Sequence, residues 1–173
     1  LGARVSFITG PATAPMPEGV AVIRVETARE MLSAVQNSLP ADAAVFAAAV
    51  ADWHVEASVG KIKKDGSGQP PALNLSENPD ILATVSQMDS GRPGLVVGFA
   101  AETDDVIANA TAKRLRKRCD WIVANDVSPE TGIMGGDENA VTVIDKDGAE
   151  AWSRASKRDV AKRLAQRIAD TLA

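Results

Sequence analysis

Residues 43–64, AAVFAAAVADWHVEASVGKIKK, decide how the rest of the chain is interpreted. The stretch opens with an unbroken apolar run over residues 43–50, and charged residues follow from Asp52 onward. A short apolar run with polar flanks is typical of a strand buried on both faces, as in parallel sheets. In open α/β sheets, ligands bind at the carboxyl ends of such strands. We therefore expect a buried strand that ends at a ligand-binding edge, followed by a cationic segment over residues 61–64.

The composition limits the function classes that need to be considered. The chain has 173 residues, of which 45% are hydrophobic and 24% are charged, so we expect one domain over residues 1–173 with a sizeable core. A net charge of -4 offers no overall basic field for nucleic acid or an anionic membrane. Aromatic residues make up 3% of the chain, too few for a protein that stacks bases. Basic residues instead cluster at 61–64 and 113–118, which favours a small anionic ligand.

The chain contains one cysteine, Cys119, so no internal disulfide can form, and a reducing, cytoplasmic compartment fits. No apolar run approaches the roughly 20 residues that span a membrane, and no signal peptide is visible. The sequence starts at Leu1 without an initiator methionine. We expect it to be a piece of a longer protein.

Strands and helices are expected to alternate along the chain. Apolar runs at 4–10, 20–25, 72–75, 95–100 and 120–124 predict strands, and residues 141–144 and 150–154 predict a hairpin. Four helices are expected, with caps at Thr27, at Asn78 with Pro79 in the first turn, at Thr103 or Asp104, and at Ser156. This order predicts a Rossmann-like α/β fold. It is a three-layer sandwich with a mostly parallel sheet and a small C-terminal β-hairpin.

Polar residues follow several of the predicted buried strands. Asp52, Glu102 and Asn125-Asp126 each stand at a strand end, and Lys113 and Lys117 share one face of the following helix. Each group also has an ordinary structural interpretation: a turn aspartate, a solvated lysine loop, or a cationic last turn that complements the helix dipole. Because they converge on one edge, the residues favour a nucleotide or phosphoester site.

Several common sites are missing from the sequence. There is no G-x-G-x-x-G dinucleotide fingerprint and no P-loop. His54, the only histidine, has no Cys or His companions at metal-ligand spacing, so a zinc site is not expected. Cys119 is interpreted as a small buried residue rather than a nucleophile. Two alternatives remain open: a Rossmann-like oxidoreductase or sugar-nucleotide enzyme, and a non-catalytic interaction domain built on the final helix and hairpin.

Six short segments together resemble the phosphopantothenoylcysteine synthetase family. In order they are AAVADW (48–53), KIKK (61–64), NPDI (78–81), VGFAAET (97–103), the pair Lys113 and Lys117, and ANDV (124–127). The likeness covers nearly the whole chain, and the combination is specific although no single segment is. In most bacteria this domain is the carboxy-terminal half of a bifunctional coenzyme A biosynthesis protein, whose other half is a flavin-dependent decarboxylase.

The resemblance implies a CTP-dependent ligation. CTP activates the carboxylate of 4'-phosphopantothenate with release of pyrophosphate, and the amine of L-cysteine then attacks the acyl-cytidylate to give an amide and CMP. Mg²⁺ is expected on the triphosphate, with Asp52 as the candidate protein ligand. A homodimer is expected for the complete domain. Flavin would belong only to the decarboxylase half, which this chain does not include.

The resemblance also implies site residues. Lys61 looks like the family's catalytic flap lysine. The implied nucleotide contacts are Ala48, Ala49, Asp52, Lys61, Pro79, Asp80, Ile81, Leu82, Phe99, Lys113 and Lys117. Asn125 and Asp126 resemble a strand-end pair with a substrate or structural role. The family's glycine-rich first strand and its Arg…Asn…Ser-Ser-Gly-Lys segment are not found in this chain. We therefore expect it to keep much of the CTP site but to be catalytically impaired.

Overall fold

The computed structural model describes residues 1–56, 60–61, 63, 66, 68–70, 72–132 and 136–173. In order the elements are β1 (Ser6–Thr9), β2 (Ala21–Arg24), α1 (Ala28–Asn37), β3 (Ala43–Phe46), β4 (Trp53–Val55), β5 (Leu75–Glu77), α2 (Ile81–Ser86), β6 (Leu95–Glu102), α3 (Val106–Lys117), β7 (Trp121–Asp126), β8 (Glu138–Asn139), β9 (Val141–Ile144), β10 (Ala149–Ala151), β11 (Ala155–Ser156) and α4 (Lys157–Leu172). Strands and helices alternate from β5 to β7, whereas several strands follow one another before and after, and a short 3₁₀ turn lies at Pro129–Thr131.

The main sheet has five strands in the order β10-β9-β7-β6-β3. Strands β3, β6 and β7 are parallel, whereas β9 runs antiparallel to β7 and β10 antiparallel to β9. The predicted α/β fold and C-terminal hairpin are therefore confirmed. The hairpin is not a separate appendage, however: it extends the parallel strands into a mixed sheet.

Helices cover both faces of this sheet, which confirms the three-layer arrangement. Successive side chains of a strand point to opposite faces, so Val96 and Val97 of β6 enter different core clusters. On one face, Val97 packs in the cluster that contains Val160 and Leu164 of α4. On the other face, Val96 packs in the cluster to which α1, α2 and α3 contribute Val35, Val85 and Ala110.

The opening apolar run does not form the expected strand. β3 ends at Phe46, so the second half of the run, residues 47–52, leaves the sheet. Among the described residues β3 pairs with β6 alone, and Val45 keeps 47% of its surface exposed. The prediction of a strand buried on both faces is wrong here, because β3 lies at the edge of the sheet and none of its residues is fully buried. β6 and β7 lie inside the sheet and are largely buried.

Three two-stranded sheets accompany the main one in the described residues: parallel β1–β2, antiparallel β4–β5 and antiparallel β8–β11. The predicted strands at 4–10 and 20–25 are confirmed as β1 and β2, and the strand expected at 72–75 lies slightly later, as β5. Helix α1 follows β2 and begins with the predicted capping box. The Thr27 hydroxyl accepts from the Glu30 amide, and the Glu30 carboxylate accepts from the Thr27 amide.

Two helix starts differ from prediction. Asp80, not Asn78, is the N-cap of α2, since its carboxylate accepts a hydrogen bond from the Ala83 amide at 2.9 Å. Asn78 instead bonds to the loop after β3: its backbone amide donates to the Asp52 carbonyl at 2.8 Å and its side-chain amide to the Ala51 carbonyl. Asp105 precedes α3 in a left-handed conformation, φ 41°, without a side-chain cap, so neither Thr103 nor Asp104 takes that place. The cap predicted for α4 at Ser156 is confirmed.

Cys119 lies between α3 and β7 with 3% of its surface exposed. Burial raises the pKa of its thiol and disfavours the nucleophilic thiolate. The interpretation as a small buried residue is confirmed. In the ranges given above, no helix combines the length and apolar character needed to cross a bilayer.

Candidate functional site

The carboxyl ends of β3, β6 and β7 lie at one edge of the main sheet, because these strands are parallel neighbours. Ala101 pairs with Asn125 and Glu102 with Asp126 across β6 and β7. This arrangement brings two of the polar strand ends expected from the sequence together.

The loop after β3 is tied to the start of α2. The Asn78 side-chain amide donates to the Ala51 carbonyl at 2.9 Å, beside the backbone bond from Asn78 to Asp52. Ala48, Ala49 and Asp52 are exposed on this loop. The predicted residues of 48–52 and those of 79–80 therefore lie next to each other, although about 30 residues separate them in the sequence.

The Asp80 carboxylate makes charged and hydrogen-bonded contacts with two helices at this edge. One carboxylate oxygen accepts a hydrogen bond from the Ala83 amide, and the other forms an ion pair with Lys117 of α3. Partial burial, the largest single influence, would raise the pKa of Asp80. The hydrogen bonds from Lys117 and Ala83 and the charges of Lys117 and Arg116 outweigh it, so the pKa lies below the ordinary value.

Lys113 is anchored in a similar way. Its ammonium donates to the carbonyl of Phe99, in β6, at 3.0 Å. Lys113 and Lys117 are four positions apart in α3 and lie on one side of that helix. Each contacts a different element: Lys113 the middle of β6, and Lys117 the start of α2.

Ile81 and Leu82 face the interior rather than the groove. Ile81 is 6% exposed, and Leu82 packs against the core cluster under α2. Only the backbone of these two residues is therefore available at the sheet edge, and since they open α2, it is their N–H groups that lack partners within the helix.

Asp126 belongs to a local turn. Its carboxylate accepts the Ser128 amide at 2.9 Å, and hydrogen bonds from Ser128 lower the pKa of Asp126. Of the two roles expected for Asn125 and Asp126, substrate binding or structure, this geometry favours a structural role for Asp126.

The cationic segment 61–64 is only partly described. Lys61 and Lys63 are both exposed. Ile62 and Lys64, which belong to the same predicted segment, lie outside the described residues.

A groove of about 580 Å³ opens beside the α2 start. Its lining residues come from α1 and from the end of β5 through the α2 cap: Arg29, Leu32, Ser33, Glu77, Asn78, Pro79 and Asp80. Sequence reasoning found Pro79 and Asp80 but missed the contribution of α1, whose sequence shows only an amphipathic pattern. Arg29 also contacts His54 of β4, with 3.2 Å between Nη2 and Nε2.

Metal-ligating side chains do not cluster at this edge. No group of three His, Cys, Asp or Glu residues suited to a metal ion occurs in the described ranges. A cation held by the protein alone is not supported by these residues, whereas a cation carried by a polyphosphate needs fewer protein ligands.

Comparison with known proteins places these features in a family context. The chain is 36% identical over 174 residues to the coenzyme A biosynthesis bifunctional protein CoaBC of Vibrio parahaemolyticus, covering 99% of this chain and 43% of that protein. It is 42% identical over 151 residues to the protein of the same name from Escherichia coli K12, covering 85% and 37%. The chain thus spans less than half the length of either relative.

A solved structure agrees with this result. The crystal structure of the C-terminal domain of a coenzyme A biosynthesis bifunctional protein CoaBC superposes with a TM-score of 0.76 at 31% identity. The match covers 99% of this chain and 76% of that one. A family profile described as the DNA/pantothenate metabolism flavoprotein C-terminal domain matches residues 1–172. The chain belongs to this family.

Proposed function

We propose that this chain is the phosphopantothenate–cysteine ligase unit of a coenzyme A biosynthesis protein and that it uses CTP. The observation that carries the proposal is the set of lysines and backbone groups at one sheet edge, in a chain whose named relatives are coenzyme A biosynthesis proteins. A carboxylate is a poor acyl donor, so its oxygen must first attack the α-phosphorus of CTP, with pyrophosphate as the leaving group. The cysteine amine then attacks the acyl carbon, CMP leaves, and the amine loses a proton.

Different groups at this edge are proposed to bind different parts of CTP. Lys113 and Lys117 supply positive charge toward phosphate groups, and the backbone of residues 79–82 supplies hydrogen-bonding groups for the nucleotide. Ala48 and Ala49 are small enough to let a nucleotide approach the backbone. Phe99 is proposed as a further nucleotide contact, beside Lys113. Asp52 is the candidate partner of a ribose hydroxyl or of Mg²⁺ on the triphosphate. Mg²⁺, when bound there, would neutralise phosphate charge.

Lys61 is proposed as the catalytic lysine, closing over the phosphates at the reacting centre. The test is Lys61→Gln in the complete gene product, with CTP-dependent pyrophosphate release as the readout. We expect a loss of about 100-fold, the size typical of removing one group that stabilises developing charge. Lys63→Gln is the matched control, because Lys63 is also an exposed lysine of the same segment. Full activity in Lys61→Gln would remove Lys61 from the mechanism.

CTP binding separates this proposal from a dinucleotide-dependent oxidoreductase. We expect CTP with Mg²⁺ to raise the melting temperature of the chain and NADPH to leave it unchanged. Stabilisation by NADPH alone would favour the oxidoreductase. No shift with either nucleotide would favour an interaction domain.

The complete active unit is proposed to need further chain. β1 and β3 are each paired on one side only in the described residues, and the solved C-terminal domain is longer than the part that this chain matches. We propose that a glycine-rich strand and its loop complete the sheet and help to bind phosphopantothenate and the acyl-cytidylate. The complete domain is proposed to be a cytoplasmic homodimer, and flavin would belong to a separate decarboxylase half. Robust pyrophosphate release by these 173 residues alone would contradict the need for the added segment.

A further inference from the structure

Both oxygens of the Asp80 carboxylate are engaged by the protein itself. Oδ1 accepts the Ala83 amide at 2.9 Å, and Oδ2 accepts from the Lys117 ammonium. The Asp80 backbone carbonyl is also used, since it accepts from the Thr84 hydroxyl at 2.7 Å. The residue is therefore fixed in place by its own helix and by α3.

A carboxylate in this position is a poor direct partner for a nucleotide. It repels phosphate groups, and each of its two oxygens already accepts a hydrogen bond from the protein. It can, however, hold the positively charged ammonium group of Lys117. The Lys117 side chain is 21% exposed and the Asp80 side chain 41% exposed. Solvent and salt therefore screen their attraction less than that between two fully exposed charged side chains.

Lys117 retains binding capacity while it contacts Asp80. An ammonium carries three N–H donors, and the contact with Asp80 needs one of them. Lys113 is held by the Phe99 carbonyl at 3.0 Å, one helical turn earlier on α3. The spacing between the two ammonium groups is thus set by acceptors in the chain before any ligand arrives, which lowers the entropy lost when a ligand binds.

We propose that Asp80 is a positioning residue, which places the Lys117 ammonium at the start of α2 for the phosphates of CTP, rather than a direct contact of the nucleotide. This inference rests on the proposed function, in which this sheet edge binds CTP.

The test is a double-mutant cycle on CTP affinity, measured by calorimetry with the 173-residue chain and Mg²⁺. Asp80→Asn keeps an N-cap, because asparagine caps helices as well as aspartate does, but it removes the charge that holds Lys117. We expect Asp80→Asn to weaken CTP binding about tenfold, within the range measured for coupled contacts. In a Lys117→Met background, Asp80→Asn should have no further effect.

Two results would overturn the positioning role. If Asp80→Asn weakened binding equally with and without Lys117, Asp80 would contact the nucleotide directly. If Asp80→Asn strengthened binding, charge repulsion would outweigh positioning. Glu138→Gln is the matched control, since it breaks an exposed pair with Arg154, 2.8 Å apart, and should leave CTP affinity unchanged.

The outcomes also separate this inference from the proposed function. A wild-type chain that does not bind CTP would overturn both. A wild-type chain that binds CTP, with no change in Asp80→Asn, would overturn only the role of Asp80. Circular dichroism and the melting temperature of Asp80→Asn show whether the α2 cap is retained.

Discussion

Gly98 lies in β6 directly beneath α2, at a point of very close approach. A Cβ at this position would stand 2.6 Å from Leu82 Cδ2 and 2.9 Å from Ile122 Cδ1. Both distances are shorter than ordinary van der Waals contacts, so the absence of a side chain sets how near α2 sits to the sheet. Through α2, this one residue helps to place the backbone of 79–82 at the sheet edge.

Gly98→Ala is expected to lower the free energy of unfolding by about 1–3 kcal/mol, because the added methyl group overpacks the core. Urea denaturation measures the effect. Gly10→Ala is the matched control, since its nearest neighbours, Val25 O and Met31 Cε, would stand 3.9 and 4.0 Å away. A second change, Leu82→Ala, should reduce the cost of Gly98→Ala. Additive effects of the two substitutions would contradict the proposed clash.

The lowered pKa of Asp80 predicts a dependence of stability on pH. Hydrogen bonds and nearby positive charge keep the folded pKa below the ordinary value of 3.8, so the folded state binds fewer protons than the unfolded state. The contribution of Asp80 is therefore fully present above pH about 4 and is lost as the pH falls through the folded pKa.

Melting temperatures between pH 7 and pH 3 measure this contribution. The wild type should lose more stability at the acid end of the range than Asp80→Asn. Parallel curves for the two proteins would show that Asp80 does not contribute in this way.

At the residue scale, the sequence predicts types of side chain better than their partners. Lys117 and Asp80 were both expected at the site, but nothing in the sequence shows that they pair with each other across 37 positions. Arg29 was missed altogether, because its contact with His54 and its place in the groove depend on how α1 packs. Such long-range contacts follow from tertiary packing, which propensity and spacing do not encode.

Among the elements, α1 shows most clearly how local sequence determines structure. Thr27 and Glu30 each satisfy an amide that the helix itself leaves without a partner. Such reciprocal bonds depend on residues three apart in the chain, which is why the helix start could be predicted.

Thr27→Ala is expected to destabilise the chain by about 1 kcal/mol, the usual cost of losing an N-cap side chain. Thr27→Ser retains the hydroxyl and should be nearly neutral. Chemical denaturation of the two variants provides the comparison. An equal loss in both would show that the Thr27 methyl group, not the hydrogen bond, matters.

Other elements were predicted well only where local pattern and tertiary setting agree. β6 and β7 combine continuous apolar sequence with neighbours on both sides, and they were correctly predicted as buried strands. β3 has similar sequence but lies at the edge of the sheet that the described residues form, and it is shorter and more exposed. α2 is capped by Asp80 and not by Asn78, since the Asp80 carboxylate accepts from the Ala83 amide while the Asn78 side chain is bonded to the Ala51 carbonyl.

Across the whole molecule, β6 and β7 differ from β1 and β2 in how many neighbouring strands they pair with and how far they are buried. β6 and β7 are hydrogen-bonded on both sides and covered by helices on both faces. β1 and β2 pair with each other, and Phe7 and Val22 are both 37% exposed. Isolated two-stranded sheets have little stability of their own.

Native-state hydrogen exchange should reveal this difference. Amides of β1 and β2 are expected to exchange through local opening, at a lower free energy than those of β6 and β7, which should require global unfolding. Mass spectrometry of peptic fragments gives the two rates. Equal protection of both groups would show that the two sheets unfold as one cooperative unit.

The buried position of Cys119 has a practical consequence for following the folding of this chain. It is the sequence's single thiol, and its surface is 3% exposed in the native state. A thiol reagent can therefore label only those molecules in which the junction between α3 and β7 has opened. The rate of alkylation therefore measures how often that junction opens, with no dye or engineered label required. Because the junction adjoins the helix that carries Lys113 and Lys117, slower labelling in the presence of a ligand would report its binding at a distance from the thiol itself.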